Sequence, residues 1–312
     1  MQTILGANGI IATLLAKELA ANYTKQLRLV SRHPKKVNPD DELVTADLRY
    51  RKQTEEAVAG SEIVYLTVGL PYQASVWKKE FPLIMSNVIE ACKKYQAKLV
   101  FFDNAYMYGP SSQVLTEKTP FNPQGTKEKA RAETAQLLLN EIDAGRLTAM
   151  ICRAPEFYGP PPTVSGTNAT ILNKLEANKP LQVMVSDTTL RTLIFVPDAA
   201  RATALLANTP DAFNQTWHLP CDQNRLTTKQ FIKVCEEVAG KQLKYNVLSK
   251  TMAKIVGLFV PMVKELRELL HQWEHDYLFD SSKFKCRFPD FNVTPLKTGI
   301  TQIIRRQGSV TT

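Results

Sequence analysis

The chain opens MQTILGANGIIATLLAKELA, and that stretch restricts its fold more than any other. Residues 3–5 form an apolar, β-prone run, and residues 10–21 repeat apolar side chains at helical spacing. Between them Gly6, Gly9 and Ala12 make a G-x-x-G-x-x-A pattern at a strand-to-helix turn. Each small residue has a purpose there. Gly6 permits a tight turn, Gly9 lets a pyrophosphate come close to backbone, and Ala12 lets the helix lie close on a sheet. The first N–H groups and the positive end of the helix dipole then face the anion. Gly6, Asn8, Gly9 and Ile10 are accordingly the candidate cofactor-binding residues of the turn.

The rest of the first half repeats this alternation. Residues 27–31, 43–45, 63–67, 98–103 and 148–153 read as strands with little polar alternation, the pattern of parallel strands buried on both faces. Helical spacing recurs at 82–95 and 127–142. That rhythm predicts an α/β fold with a doubly wound parallel sheet. From 156 to 190 the chain is loop-rich, with one helix near 171–177; residues 197–207 read as a helix returning to the sheet, and helices dominate after Pro220. The expected division is residues 1–155 plus about 190–222 as a dinucleotide-binding domain. A smaller substrate lobe would take about 156–189 plus 223–312.

The second strand runs LRLVSRHPKK and ends in Ser31 and Arg32, where an NAD-selective site would offer a carboxylate to the ribose hydroxyls. A guanidinium there suits a 2′-phosphate, with Lys35 and Lys36 adding charge. NADP(H) is therefore favoured over NAD(H). Asp47 and Leu48, after the third strand, suit the adenine edge: a carboxylate for the amino group and an apolar side chain for the ring.

Composition excludes several classes. With 44% apolar and 22% charged residues the chain is globular rather than disordered. The most apolar stretch, MAKIVGLFVPM at 252–262, is too short and too interrupted to span a bilayer and reads as a buried or lobe-packing helix. No basic segment precedes the first strand, so no secretory leader and a cytoplasmic location are expected. A net charge of +9 is dispersed in short pairs, which argues for an anionic small molecule and against nucleic acid. Five cysteines without CxxC spacing fit reduced, mostly buried thiols, and the four histidines show no metal-ligand spacing.

Four stretches resemble the extended short-chain dehydrogenase/reductases, the NAD(P)-dependent epimerase/dehydratase group: GANGIIA (6–12), NAYMYGP (104–110), RAPEFYGPP (153–161) and LIFVPDAARA (193–202). The resemblance implies a Rossmann sheet with a smaller C-terminal substrate lobe. It also implies hydride transfer beside a proton relay: a Tyr as acid/base, a Lys stabilising its phenolate, and a Ser or Thr holding the substrate oxygen. The serine's place holds Asn104, which can still donate a hydrogen bond. The Tyr-x-x-x-Lys pair should fall in NPQGTKEKARAE (122–133), which has no tyrosine. With Lys129 as the lysine, the tyrosine's place is Gly125; shifted by two, Lys127 and Arg131 occupy the pair.

Three substitutes are open. Tyr106, or less favourably Tyr108, could present the phenol; Lys127 or Lys129 could act directly; or the protein could bind cofactor without turnover, as an NADP-binding redox sensor or regulator. The resemblance further places Gly69 and Leu70 in a cofactor-lining loop and Glu156 and Phe157 beside the nicotinamide. Asp103, at the carboxyl end of a parallel strand where ligands bind, is a candidate to orient Asn104 or contact substrate, and Arg191, before the run TLIFV, holds a place where the family contacts an anionic substrate. The expected activity is oxidoreduction, epimerisation or dehydration of a carbonyl or hydroxyl compound, sugar-derived in type. The helices at 82–95 and 127–142 resemble those used for dimerisation, so a homodimer is also an open expectation.

Overall fold

The computed structural model describes all residues except 161–164, 257, 259–260 and 309–312. In chain order the first elements are β1 (Gln2–Leu5), α1 (Ile10–Asn22), β2 (Leu27–Ser31), β3 (Glu42–Thr45), α2 (Arg51–Val58), β4 (Ile63–Leu66), α3 (Ala74–Tyr95), β5 (Lys98–Asp103), α4 (Thr126–Asp143) and β6 (Ala149–Arg153). They are followed by β7 (Glu156–Tyr158), α5 (Asn173–Glu176), β8 (Leu181–Met184), β9 (Leu190–Arg191), β10 (Leu193–Phe195), α6 (Val196–Ala207) and β11 (Gln215–His218). The chain ends with β12 (Leu226–Thr227), α7 (Thr228–Ala239), β13 (Tyr245–Leu248), α8 (Lys250–Val256), α9 (Pro261–Leu266), α10 (Ser282–Arg287) and α11 (Leu296–Gly308).

Contacts divide the chain into two compact units. The first comprises Met1–Met107, Thr126–Ala154 and Ala199–Leu219; the second comprises Tyr108–Gly125, Pro155–Asp198 and Pro220–Thr312. Residues 108–125 cluster with the second unit, where Leu115 bridges to Phe279 and donates its N–H to Leu278.

A seven-stranded sheet in the order β11-β6-β5-β4-β1-β2-β3 organises the first unit, and every pairing in it is parallel. Its central strands are enclosed on both faces: all four residues of β1 and of β4 are buried. Buried-on-both-sides strands require helices above and below, and the intervening helices supply them. In α1 the buried residues Ala12, Leu15, Ala16, Leu19 and Ala20 follow helical periodicity. Leu15 and Leu19 are fully enclosed, each contributing about 2 kcal/mol from apolar burial. Chain order reverses between β1 and β4, so the carboxyl ends of these strands flank a topological switch point, the place where open α/β sheets bind ligands.

Helix α3 begins at Ala74 rather than at Pro82, which lies inside it. Proline removes one intrahelical donor, but Trp77, Phe81, Ile84, Met85 and Val88 bury one continuous face across it, and that burial carries the helix through. It stops at Gln96, whose left-handed backbone (φ 54°) closes the last turn.

Among the described residues the second unit holds three two-stranded pairings: β10 with β7 and β13 with β8 are parallel, and β12 with β9 is antiparallel. Its core gathers Tyr158, Leu172, Phe195, Phe231 and Ile300. A capping box between Thr227 and Gln230 starts α7, and Gly240 (φ 65°) ends it. The stretch 252–262, expected as a buried or lobe-packing helix, is divided between α8 and α9, and Met252, Ile255 and Leu258 are more than half exposed. Gly257, Phe259 and Val260 of that stretch, and Pro161 of RAPEFYGPP, lie outside the described residues.

Candidate functional site

The turn between β1 and α1 is built around two glycines. Gly6 has φ +92°, and a Cβ added there would stand 2.9 Å from both the Cα and the N of Val68. That strand-end backbone cannot yield, so only glycine fits. A Cβ on Gly9 would meet the Gly6 carbonyl oxygen at 3.3 Å. The N–H groups of Gly6 and Ala7 both donate to the Val30 carbonyl, and Asn8 Nδ2 donates to the His33 carbonyl at 2.7 Å, which joins the turn to the end of β2. Helix α1 then starts at Ile10 with no side-chain cap and no acidic residue in its first turn. A close-backbone cradle leading into an uncapped helix N-terminus fits a pyrophosphate.

Around this turn the structure gathers several of the expected residues. Arg32 is exposed after β2. Asp47 accepts from Arg49 Nη2 at 2.5 Å and from Arg49 Nε at 2.9 Å, and Arg49 also reaches Glu80. The Arg49 hydrogen bond holds the Asp47 carboxyl below the usual carboxylate range, with Arg32 adding a smaller pull. Leu48 is buried, and its carbonyl accepts from Thr54 and Asn87. Gly69 is exposed after β4, while Leu70 packs against the cluster of Trp77, Phe81 and Ala130.

At the carboxyl end of β5 the first unit encloses a set of charges. Asp103 is ion-paired to Arg131 through Oδ1 and to Arg153 through Oδ2 (3.4 Å), and the Asn104 N–H donates to Oδ1 at 2.8 Å. The three side chains are 0%, 4% and 1% exposed. Arg131 also lies over the rings of Phe81 (4.4 Å) and Phe101 (5.2 Å). Asp103, expected at substrate, is thus enclosed by two guanidiniums, with its backbone registered opposite Arg153 of β6.

Beside this trio is an aromatic wall. Tyr106 stacks on Trp77 (5.9 Å between centroids, 17° between planes), and its N–H donates to Asn104 Oδ1. Tyr72 meets Trp77 edge-on at 5.3 Å, and the Lys127 ammonium lies 4.7 Å over the Tyr72 ring. Lys127 is fully buried. The inner face of α4 is Lys127, Glu128, Ala130, Arg131, Thr134, Ala135 and Leu138, which puts Lys127 and Arg131 four apart on the buried side and leaves Lys129 and Glu133 exposed. Asn104, Tyr106 and Lys127 thus adjoin one cluster, which Lys129 does not join. Tyr108 belongs to the second unit, edge-on to Phe121.

Glu156, Phe157 and Arg191 are also in the second unit. Arg191 donates from Nη2 to Glu156 Oε2 at 2.7 Å and from Nη1 to the Gln272 carbonyl, and its guanidinium lies over the rings of Trp273 (5.2 Å) and Tyr277 (5.1 Å). Glu156 also accepts from the N–H and the hydroxyl of Thr167. Phe157 pairs with Ile194 in the β7–β10 ladder.

Sequence reasoning passed over Tyr72, Trp77 and Arg153. Opposite charges ending two neighbouring apolar strands, FFD and ICR, were the available signal for Arg153; the aromatic spacing of PYQASVW was the signal for the other two. Among the described residues no cluster of His, Cys, Asp and Glu suits a metal ion, and no helix is long and apolar enough to cross a membrane.

A doubly wound parallel sheet with a glycine cradle at its switch point defines the dinucleotide-binding class of α/β folds. The profile of the NAD dependent epimerase/dehydratase family matches residues 3–219, and the chain belongs to that family. No curated protein matches it. Among solved structures it is similar to UDP-glucuronic acid 4-epimerase from Bacillus cereus, determined with NAD: 15% identity, TM-score 0.80, all of both chains covered. It is also similar to dTDP-glucose 4,6-dehydratase from Streptomyces venezuelae, determined with NAD (14%, TM-score 0.76, 99% of this chain and 97% of that one). UDP-glucose 4-epimerase from Thermus thermophilus, also with NAD, gives 17%, TM-score 0.76 and 99% of each chain. At these identities the likeness is one of fold.

Proposed function

We propose that this protein binds a nicotinamide dinucleotide, NADP(H) in preference to NAD(H), and acts on the carbonyl or hydroxyl group of a small sugar-derived molecule. The observation that carries the reading is the glycine cradle, where Gly6 is wedged against the Val68 backbone ahead of an uncapped helix. Gly6, Asn8, Gly9 and Ile10 would hold the pyrophosphate, Arg32 the 2′-phosphate, Asp47 and Leu48 the adenine side, and Gly69 and Leu70 the strand-end wall. Such a group, when bound, supplies hydride exchange with carbon.

The chain's own residues handle the proton and the substrate oxygen. The phenol and the cation that the family draws from one helix come here from two elements: Tyr106 from the β5 loop and Lys127 from α4. Both adjoin the aromatic cluster around Trp77. In this reading Tyr106 supplies the phenol for proton transfer and Lys127 the positive charge that the relay needs. Asn104 takes the Tyr106 N–H on its carbonyl oxygen, and its amide N–H groups are then the donors for a substrate oxygen. The nucleotide-sugar substrates of the enzymes with the same fold support a sugar-derived compound.

Two observations favour the alternative of a silent NADP-binding sensor: α4 carries no phenol in either register, and Asp103 is engaged by two arginines and the Asn104 N–H. The first test is a titration with NADPH and NADH, followed by nicotinamide fluorescence, on wild type and Arg32→Ala. NADPH affinity should fall by about tenfold or more in the variant, with NADH little changed. Equal loss for both removes the 2′-phosphate assignment, and no binding of either removes the cofactor. Turnover that survives Tyr106→Phe undiminished removes the phenol, and no turnover on any sugar-derived carbonyl leaves the sensor.

A further inference from the structure

Large apolar side chains left in solvent are unevenly distributed in this molecule. Among the described residues nine are conspicuously exposed, and four of them, Val247, Met252, Ile255 and Leu258, fall within twelve residues at the end of β13 and along α8. Met252, Ile255 and Leu258 are 53%, 55% and 70% exposed. The opposite side of α8 is the one the second unit packs, where Ala253 is fully buried with Met184, Leu248 and Leu270. The Leu258 N–H donates to the Ile255 carbonyl and prolongs the turn, so the three exposed side chains follow one another three residues apart on the solvent side. Monomer surfaces scatter such residues singly; a run of them marks a contact surface.

The charges around the patch say what it meets. Residues 241–267 carry six cations and one acid. Lys241, Lys244, Lys250, Lys264 and Arg267 are exposed, whereas Glu265 is half-buried. Glu274 offsets Lys250 at 2.5 Å, and Lys241 Nζ donates to Asn178. Of the acids that follow, Glu268 turns its carboxylate to Gly125, where a Cβ would meet it at 2.7 Å, and Asp276 accepts the Leu190 N–H. Lys244, Lys264 and Arg267 thus place positive charge before and after the apolar face. A second copy of this chain would bring the same cations against one another, which disfavours self-pairing. An anionic bilayer offers both complements in order, negative headgroups outside and hydrocarbon beneath. Helix α8 has seven residues, and no described helix is long and apolar enough to cross a membrane, so the contact is with one leaflet. We propose that the second unit docks on an anionic phospholipid surface, with Met252, Ile255 and Leu258 entering the headgroup boundary and Lys244, Lys264 and Arg267 meeting the lipid charges.

The proposal concerns one face of the second unit and is independent of dinucleotide binding. Flotation of the full chain with vesicles of phosphatidylcholine alone, and of equal parts phosphatidylcholine and phosphatidylserine, tests it. Each cation held near an anionic leaflet raises partitioning by about fivefold, so the mixed vesicles should take up about tenfold more protein or better. That excess should vanish at about 1 M salt, where the Debye length falls to about 3 Å. Ile255→Ser with Leu258→Ser should lower binding to the mixed vesicles by about tenfold or more, with an unchanged circular dichroism spectrum because both side chains already lie in solvent. Lys264→Gln with Arg267→Gln should lower it by a similar factor while keeping the apolar face. Sedimentation velocity without lipid covers the remaining occupant: a wild-type dimer that the Ile255→Ser, Leu258→Ser variant loses would assign the patch to a second copy and overturn the proposal. No binding to the mixed vesicles, equal binding to both kinds, or binding that the serine pair leaves unchanged would overturn it as well.

Discussion

Replacing Asp103 with Asn isolates what the buried trio contributes. In wild type one carboxylate neutralises two guanidiniums, and none of the three side chains is more than 4% exposed. The amide keeps the shape and can still accept the Asn104 N–H on its one oxygen, but its NH2 then faces the Arg153 donors, so the change removes the charge and one acceptor together. It removes the carboxylate that Arg131 and Arg153 share and leaves the two guanidiniums repelling each other. Breaking a buried pair by removing one partner costs about 3–5 kcal/mol, and a carboxylate shared by two cations places this case at the upper end. Arg131→Met is the control: it leaves Asp103 matched one-to-one with Arg153 and should cost distinctly less. Hydrogen exchange of peptides covering β5 and β6, read by mass spectrometry, reports the opening free energy of this region without assuming that both units unfold together. A loss of about 4 kcal/mol corresponds to exchange about a thousandfold faster in Asp103→Asn. If Arg131→Met proved the more damaging, or if Asp103→Asn changed exchange less than about fivefold, the electrostatic account of the trio would be wrong.

Gly6→Ala should abolish dinucleotide binding, because a methyl 2.9 Å from Val68 backbone forces the turn to move; circular dichroism should still show a folded chain, and retained NADPH affinity would refute the cradle. Among the five free thiols only Cys286 is exposed, so a thiol reagent at neutral pH should label one cysteine per native chain and five after unfolding. Burial pushes the Cys92 and Cys235 thiols up to about 12, and their stabilising effect is complete below the unfolded thiol value near 9 and is lost as pH rises from there to about 12. Urea midpoints should therefore fall over that alkaline range, and Cys92→Ala should flatten the fall; a flat profile in wild type would contradict the burial argument.

Much of the first unit was legible because its signals are local. Parallel strands such as 98–103 and 148–153 are short aliphatic runs, and the small residues at Gly6, Gly9 and Ala12 mark a turn whose geometry tolerates little else. The start of α3 was hidden by Pro82, since a local rule against proline inside a helix was outweighed by burial extending to Trp77 and Phe81. The second unit was harder to read: β9 and β12 have two residues each and owe their existence to pairing with one another across a long separation, which no local periodicity announces. At the candidate site the two registers open for the lysine on α4 differ in which face they use, and only packing shows that Lys127 and Arg131 point inward while Lys129 points out. The engagement of Arg191 by Glu156, thirty-five residues away, was likewise beyond any sequence spacing.

The Asp103 trio also bears on how the sheet finds its alignment. β5 and β6 are runs of aliphatic and aromatic residues buried almost throughout, and such strands slide past one another with little change in apolar contact. The charge at the end of each strand removes that freedom. Asp103 stands directly opposite Arg153, and a one-residue slip would turn Arg153 to the other face of the sheet and leave it buried without its carboxylate. Arg131, arriving from α4, imposes the same condition on the helix that connects the two strands. The trio thus acts as a vernier for the βαβ unit: its cost outside one alignment selects that alignment, and with it the positions of Asn104 and Tyr106 that follow from the end of β5.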